Sequence, residues 1–428
     1  MLDFHFNPTR GMLDNLLKRN SENDDAIRES VHEIMEDVRE RGDAALYDYA
    51  LRFDSSELSS LFVSEDELCQ AESLMRPLLK SAIDTAAANI RAFHEAQLPH
   101  GECVETMDGV TCSRIIRPIS KPGLYVPGGS APLFSTVLML AIPASVAGCE
   151  DIMLATPAKN GVISPAILYA ARKAGVERIL KVGGAQAIAA FAYGTESVEK
   201  RNKIFGPGNR YVSFAKMEAS KSVSIDMLAG PSEVMVLSDK DSNPLFIATD
   251  LLSQAEHGPD SQAIMVFIGS KEDAERKRDA VVREVKRLLE SLPRSEFMRK
   301  SLEHSRILAF STEDDAIYAV NEYAPEHLII NTSEPERLLG EVECAGSVFL
   351  GPYSPESAGD YASGTNHTLP TSGFAKSSSG VSVDSFIKKI TVQRLSREGA
   401  IGISQTVMEM AEAESLYAHR EAMRVRTC

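Results

Sequence analysis

The chain reads as an α/β protein whose parallel strands are joined by crossover helices. Three observations predict this. Short apolar runs at 123–126, 151–155, 178–182, 203–205 and 233–238 alternate with helix-length segments at 134–147, 165–174, 185–193 and 211–219. Strands that alternate with helices run parallel. Several runs end in turn formers: Pro127-Gly128-Gly129-Ser130, Gly183-Gly184-Ala185-Gln186 and Gly206-Pro207-Gly208-Asn209. Ligands of such sheets sit at the carboxyl ends of the strands. The 43% hydrophobic and 25% charged shares are those of a globular chain, and 428 residues make roughly two to three domains.

In chain order, residues 20–95 read as packing helices. Asn23 or Asp24 is placed to cap a helix whose stripe is Ile27, Val31, Ile34, Met35 and Val38. Arg41-Gly42-Asp43 breaks it and 44–52 begins another. Ser64-Glu65-Asp66-Glu67 has the capping-box spacing and opens a third. Beyond the first αβ run, Asp241-Ser242-Asn243-Pro244 starts a helix at 245–257, stopped by Gly258-Pro259. A strand at 263–268, a charged helix at 271–292 and strands at 307–310, 328–331 and 348–350 follow. The last leads into a loop at 351–371. Ser377-Ser378-Ser379-Gly380 reads as a linker and the tail after Ser396 as a small helical domain.

Composition narrows the function. The net charge of −16 and the absence of a basic patch argue against nucleic acid as a partner. The start, Met1 to Asn7, lacks the basic and apolar regions of a secretory signal. The longest apolar stretch, 135–148, holds a proline and is too short to span a bilayer. Cys69, Cys103, Cys112, Cys149, Cys344 and Cys428 form no C-x-x-C pair and read as reduced thiols of a cytoplasmic protein, with Cys112 and Cys149 in the core.

The chemistry concentrates at Pro325-Glu326-His327. A polar pair at the start of an apolar strand is costly unless paired or functional, and a buried Glu-His pair can act as acid and base. Gln254 and His257 share one helix face. Asp360 falls in a Gly- and Ser-rich loop, and Glu414 and His419 lie in the tail. Such mixed N/O donors suit catalytic zinc or manganese. The plainer alternative makes His257 a helix cap and His419 a surface residue. Asn366-His367 either braces its loop or meets substrate. No G-x-G-x-x-G accompanies the strand-end glycines, so they are a weak nucleotide signal.

Seven segments together resemble the histidinol dehydrogenases: 123–133, 182–190, 205–209, 229–233, 252–258, 324–328 and 359–367. The resemblance runs from about 20 to 425, with Ser130 where threonine is commoner. It implies two incomplete Rossmann-like domains with small N- and C-terminal helical extensions, in an intertwined homodimer. Its partition is an arm at 1–20, a first α/β domain at 21–122 and 236–380, a second at 123–235 and a C-terminal domain at 381–428. It further implies oxidation of L-histidinol to L-histidine through L-histidinaldehyde, with two NAD+ and one zinc per subunit. Gln254, His257, Asp360 and His419 would be the zinc ligands, and Glu326 and His327 the acid/base residues. Tyr125, Gln186 and Asn209 would line the NAD+ site. Ser232, His327 and Glu414 would contact substrate together with the metal ligands. The tail would complete the partner's site. Two alternatives remain at this stage: a sister enzyme acting on another alcohol, such as a sulfonated diol, and a zinc hydrolase using Glu326 or Glu256.

Overall fold

The structure, a computed structural model, describes residues 2–19, 25–128, 132–227 and 230–427. The expected Asn23 or Asp24 cap, and Gly129 and Ser130 of the first strand-end turn, lie outside these residues.

Two parallel sheets carry the fold. One has six strands in the order Asp3–Phe6, Arg306–Phe310, Gln262–Ile268, Glu233–Ser238, His327–Asn331 and Ser347–Leu350. The other has five, in the order Arg178–Leu180, Met153–Ala155, Pro122–Tyr125, Lys203–Phe205 and Ser224–Ile225. Their central strands are mostly apolar because helices cover both faces. Along Glu233–Ser238, Val234 and Val236 enter one core while Met235 and Leu237 enter the opposite one. Helix Phe134–Val146 is buried from Ser135 to Ala144, which explains its unbroken apolar sequence. Among the described residues no helix is long and apolar enough to cross a membrane.

The structure corrects several expectations. The helices at 25–95 do not join the six-stranded sheet. Val31, Met35 and Leu46 pack with Tyr125 and Phe191, and Ile83 and Ile90 pack with Leu138 and Ile142, all on the five-stranded sheet. The strand Glu233–Ser238 of the six-stranded sheet spans the expected domain boundary at 235. The N-terminal extension is not purely helical, since Asp3–Phe6 forms an edge strand.

Nor is the C-terminal extension purely helical. Ile387–Leu395 pairs antiparallel with Val110–Pro118, which pairs with Cys103–Met107. Phe386, just before this strand, stacks on Phe205 at 4.1 Å between ring centroids. Burying such a ring contributes about 1.5–3 kcal/mol and ties the tail to the five-stranded sheet. Cys112 sits on this small sheet and is exposed, whereas Cys149 is buried as expected.

Candidate active site

The site is built where the strand His327–Asn331 begins. Helix Glu313–Tyr323 ends at Ala324, a non-glycine residue in the left-handed region (φ 50°). Pro325 follows, and the chain enters the sheet between Glu233–Ser238 and Ser347–Leu350. Gly346 lies so close to the Glu326 carbonyl that a side chain there would collide with it. Glu326 and His327 are therefore buried at the carboxyl end of one helix and the start of a central strand.

Each of the pair has defined partners. Glu326 Oε2 accepts from the Glu233 backbone N–H at 2.8 Å and from Gln254 Nε2 at 3.3 Å. His327 Nδ1 lies 3.1 Å from the Glu233 carbonyl. That partner accepts only, so in the neutral ring Nδ1 carries the hydrogen and Nε2 keeps its lone pair. Nε2 faces Asp360 Oδ1 at 3.5 Å.

Around them stands a donor set. Gln254 is on helix Pro244–Ala255, and His257 follows its end. Glu356 and Asp360 are one turn apart on helix Glu356–Tyr361, which corrects the loop expected around Asp360. Ligand atoms of His257, Glu356 and Asp360 lie within 4.8 Å of one another. Gln254 Oε1, Glu356 Oε2, Asp360 Oδ1 and His327 Nε2 are buried without a hydrogen-bond partner. Orphaned acceptors beside two carboxylates fit a divalent cation with mixed N/O ligands.

The electrostatics agree. Burial pushes Glu326 up to about 8, and Glu356 likewise to about 8. Burial alone would lower His327, but Glu356, Glu326 and Asp360 raise it to about 10. Asp360 is held low: burial opposes ionisation, but His327 overcomes it. Burial among the cluster lowers His257, although the residue as a whole is exposed.

A pH dependence follows. Free glutamate titrates near 4.3. Between about pH 4.3 and 8 the folded chain keeps protons that the unfolded chain has lost, so Glu326 and Glu356 lower stability as pH rises. His327 acts in the same direction, its contribution complete below about 6.5 and lost as pH rises through about 10. Metal-free protein should therefore melt lower at pH 8 than at pH 6. Glu356→Gln should shrink that fall by roughly 2–4 °C in thermal melts. An unchanged fall would mean that Glu356 ionises as an ordinary carboxyl does.

The other predicted residues fall into two groups. Tyr125, Gln186 and Asn209 gather at the carboxyl edge of the five-stranded sheet. Tyr125 Oη accepts from the Gly184 N–H at 3.1 Å, and Asn209 Oδ1 caps helix Arg210–Ala219 through the Val212 N–H. Gly206 (φ 123°) passes so close to the Tyr125 carbonyl that a Cβ would overlap it. Tyr125 and Asn209 brace loops that lead into the N-termini of helices Gly184–Tyr193 and Arg210–Ala219, where backbone N–H groups suit a phosphate, which fits NAD+. Ser232 precedes Glu233 and lines a cavity of about 40 Å3. Glu414 and His419 are not brought to the cluster. Both are exposed on the C-terminal helical pair, whose second helix buries no residue.

Asn366 and His367 brace their loop. Asn366 Nδ2 donates to the Met139 carbonyl, and the His367 ring joins the Asp360 carbonyl to Thr136 Oγ1. Two residues of the cluster escaped the sequence reading. Glu356 was legible as an i, i+4 partner of Asp360 once that stretch is helical. Glu233 acts through its main chain, which leaves no side-chain signature.

Parallel sheets that carry a buried carboxylate–imidazole pair beside unpartnered polar side chains define the class as an α/β enzyme. The sequence pattern of the family described as histidinol dehydrogenase matches residues 17–427. The chain is 53% identical over 421 residues to histidinol dehydrogenase of Bacteroides thetaiotaomicron, covering 98% of this chain and 97% of that one. It is 52% identical over 401 residues to the chloroplastic histidinol dehydrogenase of Oryza sativa, covering 93% and 84%. The crystal structure of histidinol dehydrogenase from Elizabethkingia anophelis superposes with a TM-score of 0.95 at 47% identity, covering 99% and 98%. The chain belongs to the histidinol dehydrogenase family and is an oxidoreductase of histidine biosynthesis.

Proposed function

We propose that the chain is a cytoplasmic, zinc-dependent, four-electron dehydrogenase. It oxidises L-histidinol to L-histidine through L-histidinaldehyde with two NAD+. The observation that carries this is the buried Glu326–His327 pair facing the orphaned donors of Gln254 and Asp360. Gln254, His257 and Asp360 would hold zinc, with His419 of the partner subunit, while the loops of Tyr125, Gln186 and Asn209 receive NAD+. When bound, zinc fixes the substrate's polar atoms and NAD+ accepts hydride.

The chain's own residues move the protons. His327 Nε2 takes the alcohol proton, held in aim by its Nδ1–H bond to the Glu233 carbonyl. Glu356, Glu326 and Asp360 raise this ring's affinity for a proton, and a cation held by Asp360 would offset part of that pull and favour the neutral ring. For the second oxidation, Glu326 deprotonates the water added to the aldehyde. A carboxyl raised to about 8 by burial is a stronger base than an exposed one. Glu414 of the partner subunit would supply a negative charge for the substrate ammonium, and Ser232 a polar contact.

The test is L-histidinol plus NAD+ with NADH followed by absorbance. The expected result is about two NADH per histidinol, abolished by chelator and restored by zinc. No NADH from zinc-loaded protein would overturn the reading, in favour of a sister enzyme acting on another alcohol or of a hydrolase.

A further inference from the structure

Glu326 and His327 hang on a single residue of the neighbouring strand. Glu233 donates its backbone N–H to Glu326 at 2.8 Å, and its carbonyl meets His327 Nδ1 at 3.1 Å. A shift of this one peptide segment would misaim both proton-handling groups together.

The Glu233 side chain is clamped from outside the site. Arg19 Nε and Nη2 donate to its two oxygens at 2.5 and 2.9 Å, and the Ser372 N–H donates at 2.8 Å. Arg19 Nη2 also donates to the Tyr323 carbonyl at 2.7 Å, and the guanidinium lies 4.1 Å over the Tyr323 ring. Tyr323 Oη in turn donates to Gln262 Oε1 at 2.8 Å. Tyr323 closes the helix that leads, through Ala324 and Pro325, into Glu326. One guanidinium therefore joins the first residue of one strand to the lead-in of the next.

Both anchors are buried: Glu233 is 2% exposed and Tyr323 0%. A bidentate charged pair in such surroundings fixes orientation as well as position. Arg19 is itself held in place. Its arm pairs along Asp3–Phe6 and buries Leu13 and Leu17 under the six-stranded sheet.

We propose that Arg19 is a positioning residue for the Glu326–His327 pair, acting through Glu233 and Tyr323 without touching substrate. The proposal rests on the dehydrogenase reading for its kinetic consequences. A lysine cannot form the fork, and an alanine leaves the Glu233 carboxylate buried without its counter-charge.

The experiment uses the full-length, zinc-loaded enzyme and its Arg19→Ala and Arg19→Lys variants, each checked for melting temperature and zinc content. Arg19→Ala should lose about 100-fold in kcat for histidinol, with KM for both substrates within about threefold. Arg19→Lys should recover part of the loss. Combined with Glu326→Gln, Arg19→Ala should add much less than its own single loss, because both act on one element. A kcat within about threefold of the unaltered enzyme, or losses that simply multiply, would overturn the proposal.

Should Arg19→Ala fail to fold, Glu233→Gln keeps the side-chain shape while weakening the fork, and the same split between kcat and KM decides. Ring-nitrogen NMR of His327 gives a readout that needs no turnover. The Nδ1–H tautomer should dominate in the unaltered protein and become mixed in Arg19→Ala, and an unchanged tautomer would count against the clamp. If the unaltered enzyme leaves histidinol untouched, the substrate reading fails while this comparison still judges Arg19.

Discussion

Replacing His327 by asparagine should lower kcat about 1,000-fold and leave KM for histidinol nearly unchanged. The asparagine amide N–H can stand where Nδ1–H stands and donate to the Glu233 carbonyl, 3.1 Å from Nδ1. The lead-in through Ala324 and Pro325 is then undisturbed, and the strand keeps its place between its two neighbours. What disappears is the lone pair of Nε2. The neighbouring rings are committed elsewhere: His367 is engaged on both ring nitrogens by Asp360 and Thr136, and His257 belongs to the cation donor set. General acid–base catalysis contributes about 10²–10⁴-fold, so the loss should sit within that range. Steady-state kinetics on zinc-loaded protein decide it. A kcat within tenfold of the unaltered enzyme would remove His327 from the proton path.

Legibility in the sequence followed burial. The strands at 203–205 and 233–238 coincide with Lys203–Phe205 and Glu233–Ser238, because strands covered on both faces are apolar at nearly every position. The caps at Ser64 and Asn243 were equally legible, since their partners lie two or three residues away, at Glu67 and Leu245. The antiparallel sheet was not. Cys103–Met107 is exposed at every residue, and Ile387–Leu395 is exposed at seven of its nine, so neither has an apolar face to betray it. The 25–95 helices were read correctly as helices, but which sheet they cover was not legible. An amphipathic stripe says that a face is buried, not against what. At the site, the sequence singled out Gln254, His257, Glu326, His327 and Asp360, which the structure brings together. Residues acting through geometry, such as Glu233 and Arg19, depend on contacts across 214 positions of the chain and leave no local pattern.

Two inactive chains should restore each other when mixed. Glu414 and His419 stand on the C-terminal helical pair, exposed in one protomer. The same pair exposes Ile401, Met410, Leu416, Tyr417 and Val425, a set of apolar side chains that a lone subunit leaves in water. If the tail covers the partner's site, a chain with Glu326→Gln and a chain with His419→Ala are each inactive alone. Their mixed dimer holds one site with both defects and one with neither. Random reassortment makes half the dimers mixed, so activity should recover to about 25% of the unaltered enzyme. Removing the tail after Ser396 should abolish turnover, and mixing that truncated chain with Glu326→Gln should restore it only where a dimer still forms. Absence of recovery in dimers shown by mass to be mixed would place His419 in its own subunit's site. The cluster would then have to close within one chain, against the exposed position that His419 occupies.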